Sequence, residues 1–99
     1  MAVERLNGAG WFGQHAAGAP SVLRERAARF LDAEPDHAPS PERLAGAARR
    51  ALAAVLAGTG DRSVALDLLA ADALVTLALL AKAQQEPAGL ARFAASLRT

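Results

Sequence analysis

The chain has 99 residues, no cysteine, 11 basic and 10 acidic side chains, and a formal net charge of +1. This length predicts a single domain, 1–99, and a domain this short is marginally stable on its own. Disulfides and thiol chemistry are excluded, and with two histidines a structural zinc site is not expected. The balanced charge makes nucleic acid or a membrane surface an unlikely partner.

The composition predicts an all-α fold. Hydrophobic residues make up 53% of the chain and aromatic residues 4%, so alanine and leucine, two strong helix formers, carry the apolar content. No stretch alternates with the period of two that is typical of a strand. We therefore expect a small four-helix bundle-like domain.

Residues 1–19 are rich in glycine and predict a short irregular helical segment. Trp11 and Phe12 lie in this segment, and they suit either an interface hot spot or a lid over the bundle core. His15 follows Trp11 by one helical turn, so the two rings are expected to stack. The N-terminus lacks a cationic region followed by an apolar run, which predicts no signal peptide and a cytoplasmic location.

The first two predicted helices span 20–33 and 40–57. Pro20 suits a first helical position, and Pro35 forbids continuation of the first helix. Ser40 is a strong N-cap for the second helix, which the glycines of 58–60 end by accepting a left-handed cap. Its inward stripe is expected to comprise Leu44, Ala48, Ala51, Leu52 and Val55.

The remaining predicted helices span 61–85, capped by Asp61, and 87–97, opened by Pro87. The inward residues of the last helix are expected to be Leu90, Phe93, Ala94 and Leu97. On a helical wheel, the long helix carries two nearly opposite apolar rows: Leu66, Leu69, Leu77 and Leu80 on one side, and Val64, Leu68, Val75 and Leu79 on the other. Between the rows run two seams: Ser63, Asp67, Ala71 and Ala78 along one edge, and Ala65, Asp72 and Thr76 along the other.

A helix that is apolar nearly all round is either central in its fold or packed against another chain. One copy of so short a chain has few segments with which to surround 61–85, so we predict a symmetric homodimer through this helix. The candidate interface comprises Val64, Leu68, Val75, Leu79, Trp11 and Phe12. The alternative is a monomer in which the other segments enclose the helix.

The apolar stretch 64–81 has about the length of a short membrane span. Asp67 and Asp72 lie inside it, and each would cost roughly 2.5–3.5 kcal/mol near a bilayer centre. A buried core helix, with no membrane, is therefore the preferred interpretation. Asp67 and Asp72 point about 140° apart, so they form no paired-carboxylate site, and each is expected to meet a helix end, an arginine or water.

No constellation predicts an enzyme, a cofactor or a metal site. Gly8, Gly10 and Gly13 spell G-x-G-x-x-G, but no strand precedes them, as a dinucleotide site would require. The first hypothesis is therefore a non-enzymatic interaction or assembly protein.

Two alternatives stay open. The first is a small DNA-associated regulator, because Ala54, Gly58 and Val64 match helix-turn-helix spacing and arginines line the preceding helix. The helix that follows Asp61 is, however, too acidic and apolar for base recognition. The second is a helical module that binds a hydrophobic ligand along the long helix.

Overall fold

The structure is a computed structural model that describes residues 9–31 and 39–98. These residues form five α-helices and one short 3₁₀ turn, Pro87–Gly89, and they include no strand. The helices, in chain order, are α1 (Ala9–His15), α2 (Ser21–Leu31), α3 (Pro41–Ala57), α4 (Arg62–Gln85) and α5 (Leu90–Ser96). The all-α prediction is confirmed.

Local cap chemistry accounts for the start of the two longest helices. The Ser40 hydroxyl oxygen accepts a hydrogen bond from the Arg43 backbone N–H at 3.0 Å, and the Asp61 carboxylate accepts one from the Val64 N–H at 3.1 Å. Both predicted caps are confirmed.

Two other predicted elements differ in their bounds. Helix α2 begins one residue later than predicted, as α3 and α4 also do, and residues 32 and 33 lie outside the described residues. The predicted helix 87–97 is divided into the 3₁₀ turn and α5.

Gly58 and Gly60, the two glycines between α3 and α4, have different roles from those predicted. Gly58 caps α3 with an ordinary φ of −85°, and Gly60 is the residue that takes a positive φ, of 82°. The predicted left-handed position is therefore Gly60 and not the capping residue. Gly58 is needed for space, because a Cβ there would lie 2.2 Å from Cγ2 of Val64. This short connection lets α4 return along α3 as an antiparallel hairpin.

The core is built around that hairpin, which makes the most extensive contact between any two described elements. Leu44 of α3 and Leu74 of α4 are the large, fully buried hydrophobic side chains at its centre. Alanines fill most of the rest, and small side chains let two helices pack closely. The buried alanines are Ala45, Ala47, Ala48 and Ala51 on α3, and Ala70, Ala71, Ala78 and Ala81 on α4.

The buried side of α4 follows one of the seams and not a leucine row. We call this buried side the core stripe; it comprises Asp67, Ala70, Ala71, Leu74, Leu77, Ala78 and Ala81. Each leucine row lies about 100° around the helix from the middle of the core stripe. Both rows therefore flank the core: Leu77 is buried, whereas Leu68, Leu69 and Leu80 are exposed.

Helix α2 crosses the hairpin and is held there by arginines. Arg26 forms an ion pair and hydrogen bond with Asp67 of the core stripe, and it also donates to the Ser63 hydroxyl oxygen at 3.2 Å. From α3, Arg50 donates to the backbone carbonyl of Phe30 at 2.6 Å. Of the three partners expected for Asp67, a helix end, an arginine or water, the structure shows an arginine, and the contact explains how a carboxylate is accommodated on a buried stripe.

Among residues 9–31 and 39–98, one helix, α4, is long and apolar enough to cross a membrane by length and composition. The central helix of a helical domain has the same composition. The absence of a membrane therefore stays a prediction.

The packing of the core stripe predicts different responses to enlarging two alanines of α4. Ala78→Leu should destabilise the fold by about 1–3 kcal/mol, because Ala78 is fully buried and an added isobutyl group would overpack the contact with α3. Ala65→Leu, on the exposed side of the same helix, should change stability by less than about 0.5 kcal/mol. Urea unfolding measures both, and equal effects would contradict the packing.

The ion pair predicts a coupled effect in a double-mutant cycle. Arg26→Met should cost about 1.5–3 kcal/mol, because it leaves the Asp67 carboxylate buried without its charged partner. Adding Asp67→Leu removes that buried charge, so the double variant should be more stable than Arg26→Met alone. The measurement is again urea unfolding, and strictly additive losses would rule the coupling out.

Candidate functional site: an apolar groove between α3 and α4

An apolar groove of about 260 Å³ runs between α3 and α4 on one side of the hairpin. We call it the α3–α4 groove. Helix α5 meets it at one end, and its lining residues are Ala45, Ala48, Arg49, Leu52, Leu68, Ala71, Asp72, Val75 and Leu97. Seven of these nine side chains are apolar, so the groove offers water a largely hydrophobic surface.

The leucines on the two walls are exposed to solvent. Leu52 on α3 is 46% exposed and Leu68 on α4 is 52% exposed, while Leu56, one turn beyond Leu52, is 79% exposed. The prediction that Leu52 belongs to an inward stripe is therefore wrong. Leu52 lies about 80° around the helix from Leu44, at the edge of the buried face, and its side chain lines the groove beside Leu68.

Polar contacts hold α5 at the end of the groove. Arg49 donates to the backbone carbonyl of Ser96 at 3.4 Å. Lys82 Nζ donates to Glu86 Oε1 at 2.6 Å and lies 5.7 Å from the ring centroid of Phe93. The hydrogen bond and positive charge of Lys82 lower the pKa of Glu86 from its ordinary value. These contacts place Leu97 over the groove, so this residue is only partly inward.

One positive and one negative side chain line the otherwise apolar groove. Arg49 comes from α3 and Asp72 from α4, and both side chains are exposed. The groove therefore carries one cation and one anion around a hydrophobic centre, and its local charge sums to zero.

The groove contains only part of the interface predicted on α4. Leu68 and Val75 line it, Val64 packs at its loop end against Gly58, and Leu79 is half-buried outside the lining. Leu52 and Leu97 also line the groove, but the sequence pattern predicted both as inward residues. The exposed position of Leu52 follows from its place at the edge of the α3 stripe, whereas the half-buried position of Leu97 depends on how α5 docks.

The aromatic candidates lie away from the groove. Phe12 is buried in the core, so it suits the lid role and is not available to a partner in this structure. Trp11 is half-buried, donates to Gln84 Oε1 at 3.3 Å and stacks on His15 with ring centroids 4.3 Å apart. The predicted Trp11–His15 stack is confirmed.

The described residues include no group of three or more His, Asp or Glu side chains placed to hold a metal ion. Of the arginines on the exposed side of α3, Arg49 and Arg50 contact backbone carbonyls of α5 and α2. Their geometry serves to join helices, which accounts for these charges without a nucleic-acid partner.

A search of protein-family models, of curated proteins and of solved structures found no match to this chain. The groove and its residues are therefore the basis for any functional argument.

Proposed function

We propose that this chain is a non-enzymatic assembly protein that forms a symmetric homodimer through the α3–α4 groove. The observation that carries the proposal is the exposure of Leu52 and Leu68 on the two walls of one apolar groove, with Leu56 exposed one turn beyond Leu52. Single exposed leucines are common on protein surfaces, but leucines grouped around an apolar groove are typical of an interaction site.

The charges of the groove favour a second copy of the chain as the occupant. In a two-fold symmetric dimer, a surface must complement itself, because residue i of one subunit meets residue j of the other and the reverse. Arg49 and Asp72 meet this requirement, since each subunit offers the partner one charge of each sign. The two-fold axis of the proposed dimer would place Arg49 of each subunit opposite Asp72 of the other.

The energetics also allow self-association, but only a weak one. Completing the burial of a half-exposed leucine is worth on the order of 1 kcal/mol, and two-fold symmetry counts each of the three leucines twice. Association must also offset at least about 4 kcal/mol of lost translational and rotational freedom. Val75 and Leu97 add further apolar area, so we expect a weak dimer with a dissociation constant of about 0.1 mM order.

A small hydrophobic ligand fits the groove less well. The groove holds about 260 Å³ and is open along one side. Sites that enclose a drug-sized molecule hold about 300–1,000 Å³ and bury most of its surface. Exposed side chains of a partner protein suit this open groove better than an enclosed small molecule does.

The first test compares two consecutive leucines, one from each leucine row of α4. Leu68→Lys should weaken self-association at least about tenfold, because it places a charge in the apolar contact. Leu69→Lys should leave association unchanged, because Leu69 is equally exposed, at 54% against 52%, but belongs to the other leucine row and does not line the groove. The measurement is multi-angle light scattering over a concentration series that extends to about tenfold above the expected constant of about 0.1 mM.

Both variants should keep the helix content of the native chain by circular dichroism, since both leucines face solvent. A native chain that is monomeric throughout the series would contradict the proposed homodimer. A dimer broken by Leu69→Lys and kept by Leu68→Lys would place the interface on the other flank.

The second test examines the pairing of charges. Arg49→Asp and Asp72→Arg should each weaken the homodimer about tenfold, because each variant sets like charges opposite one another. Mixing the two variants in equal amounts should restore association as a heterodimer, in which every facing pair again has opposite charges. Native mass spectrometry at low ionic strength, where surface charges are least screened, separates these species by mass.

The double variant Arg49→Asp with Asp72→Arg is the matched control. It loses the same Arg49–Ser96 contact but keeps complementary charges, so it should form a homodimer. If the mixture remained monomeric while the native chain dimerised, the dimer would exist without this pairing of residues.

A further inference from the structure

Helix α5 covers part of the same side of α4 that forms one wall of the α3–α4 groove. Leu68, Val75 and Lys82 follow one another at intervals of nearly two helical turns, so they lie along one side of α4. Leu68 lines the open groove, Val75 lines it together with Leu97, and Lys82 lies over the ring of Phe93. Helix α5 therefore runs antiparallel to α4 in the continuation of the groove.

Helix α5 is weakly attached to the hairpin. None of its residues is buried, its N-cap Gly89 makes no side-chain hydrogen bond, and Arg49 reaches the Ser96 carbonyl only at 3.4 Å. A helix of seven residues is too short to persist without its packing contacts. The buried core centres on Leu44 and Leu74 and includes no residue of α5, so the helix can detach while the hairpin keeps its core.

Arg49 contacts α5 in the single chain and would contact the partner subunit in the proposed dimer. Its bond to the Ser96 carbonyl is long, whereas a bond to the carboxylate of Asp72 of the partner subunit would be charge-assisted and stronger. A guanidinium that turns to this carboxylate contributes less to the attachment of α5. Docking of α5 and binding of a second copy therefore oppose each other at this residue.

The open part of the groove is small for a protein interface. Its lining comprises nine residues, whereas stable interfaces use about 20–30 residues from each partner. The surface under α5 adjoins this lining at Val75 and continues along α4 towards Lys82. Displacement of α5 would therefore lengthen the apolar surface along the hairpin. A second copy is the occupant that we infer, because the lengthened surface begins with the groove of the proposed dimer.

We propose that α5 is an autoinhibitory lid, which shortens the α3–α4 groove in the single chain and is displaced when a second copy binds. The lid rests on the proposed homodimer and adds its regulation. A lid that is docked in about nine-tenths of the chains weakens the observed association about tenfold, because only the remaining tenth offers the longer surface. Loosening α5 should therefore tighten the dimer.

Phe93→Ala tests the lid in the whole chain. The variant removes the ring that lies under Lys82 and packs on the core, and alanine preserves the helix propensity of α5. Its dissociation constant for the dimer, from sedimentation equilibrium, should be about three- to tenfold lower than that of the native chain. Arg92→Ala is the matched control, because Arg92 is exposed on the same helix, and it should leave this constant unchanged.

A double variant separates a lengthened groove from unspecific attraction between uncovered apolar surfaces. Adding Leu68→Lys to Phe93→Ala should weaken association at least about tenfold relative to Phe93→Ala alone, because the open groove and the surface under the lid then form one interface. A double variant that associates as tightly as Phe93→Ala would show that the uncovered surface binds by itself, and the lid would be overturned.

Hydrogen exchange of the native chain tests the displacement without any substitution. The backbone amides of α5 should exchange faster at concentrations where the dimer dominates than where the monomer does, whereas those of α3 should not. Slower exchange of α5 in the dimer would place this helix in the interface and overturn the lid.

The lid and the homodimer fail in different ways. A native chain that dimerises, with an unchanged or higher dissociation constant in Phe93→Ala, contradicts the lid alone. A native chain and a Phe93→Ala variant that both stay monomeric contradict the homodimer and the lid together. A tighter dimer in Phe93→Ala that Leu68→Lys weakens again supports both.

Discussion

The close contact of small side chains between α3 and α4 is the constraint on which the rest of the structure depends. Ala48 and Ala51 on one helix and Ala71 and Ala78 on the other are buried, and little side-chain volume lies between the two backbones. Apart from Leu44 and Leu74 at its centre, a pair of helices joined in this way leaves most of its larger apolar residues at the edges of the contact. The leucine rows of α4 become flanks, and the further helices α1, α2 and α5 cover those flanks in part.

The groove follows from this arrangement. On one flank, Leu68 and Val75 of α4 lie beside Leu52 of α3, and α5 covers only the end near Leu97. On the other flank, α1 and α2 pack against the hairpin, through contacts that include Arg26 with Asp67 and Trp11 with Gln84. An interface on the first flank would therefore occupy the side of the hairpin that these two helices leave free.

Features that depend on neighbouring residues were predictable from the sequence. The caps Ser40 and Asp61, the helices they begin and the Trp11–His15 stack are all set by residues within one turn of each other. The buried side of α4 was harder, because hydrophobicity alone points to the leucine rows. What decides it is the fit with α3, and that fit favours alanine.

The site was predicted only in part for the same reason. Leu68 and Val75 stand out on a helical wheel of α4, but a groove has two walls, and the second wall depends on which residue of α3 faces them. Leu52 is apolar and at helical spacing with Leu44 and Ala48, so the pattern counts it as core. Asp67 was expected to meet a helix end, an arginine or water, and its pairing with Arg26 depends on how α2 crosses the hairpin.

The tight connection at Gly58–Gly60 also bears on how the molecule reaches its native state. Contacts near this turn join residues that are close in the chain, so forming them closes short loops at low entropic cost. Contacts made by α1 with the end of α4, such as Trp11 with Gln84, span 73 positions. Local contacts form faster than distant ones. The hairpin is therefore expected to form from its turn before the N-terminal helices dock on it. The hairpin with its alanine contact would then form first, and the helices that pack on its flanks would dock later.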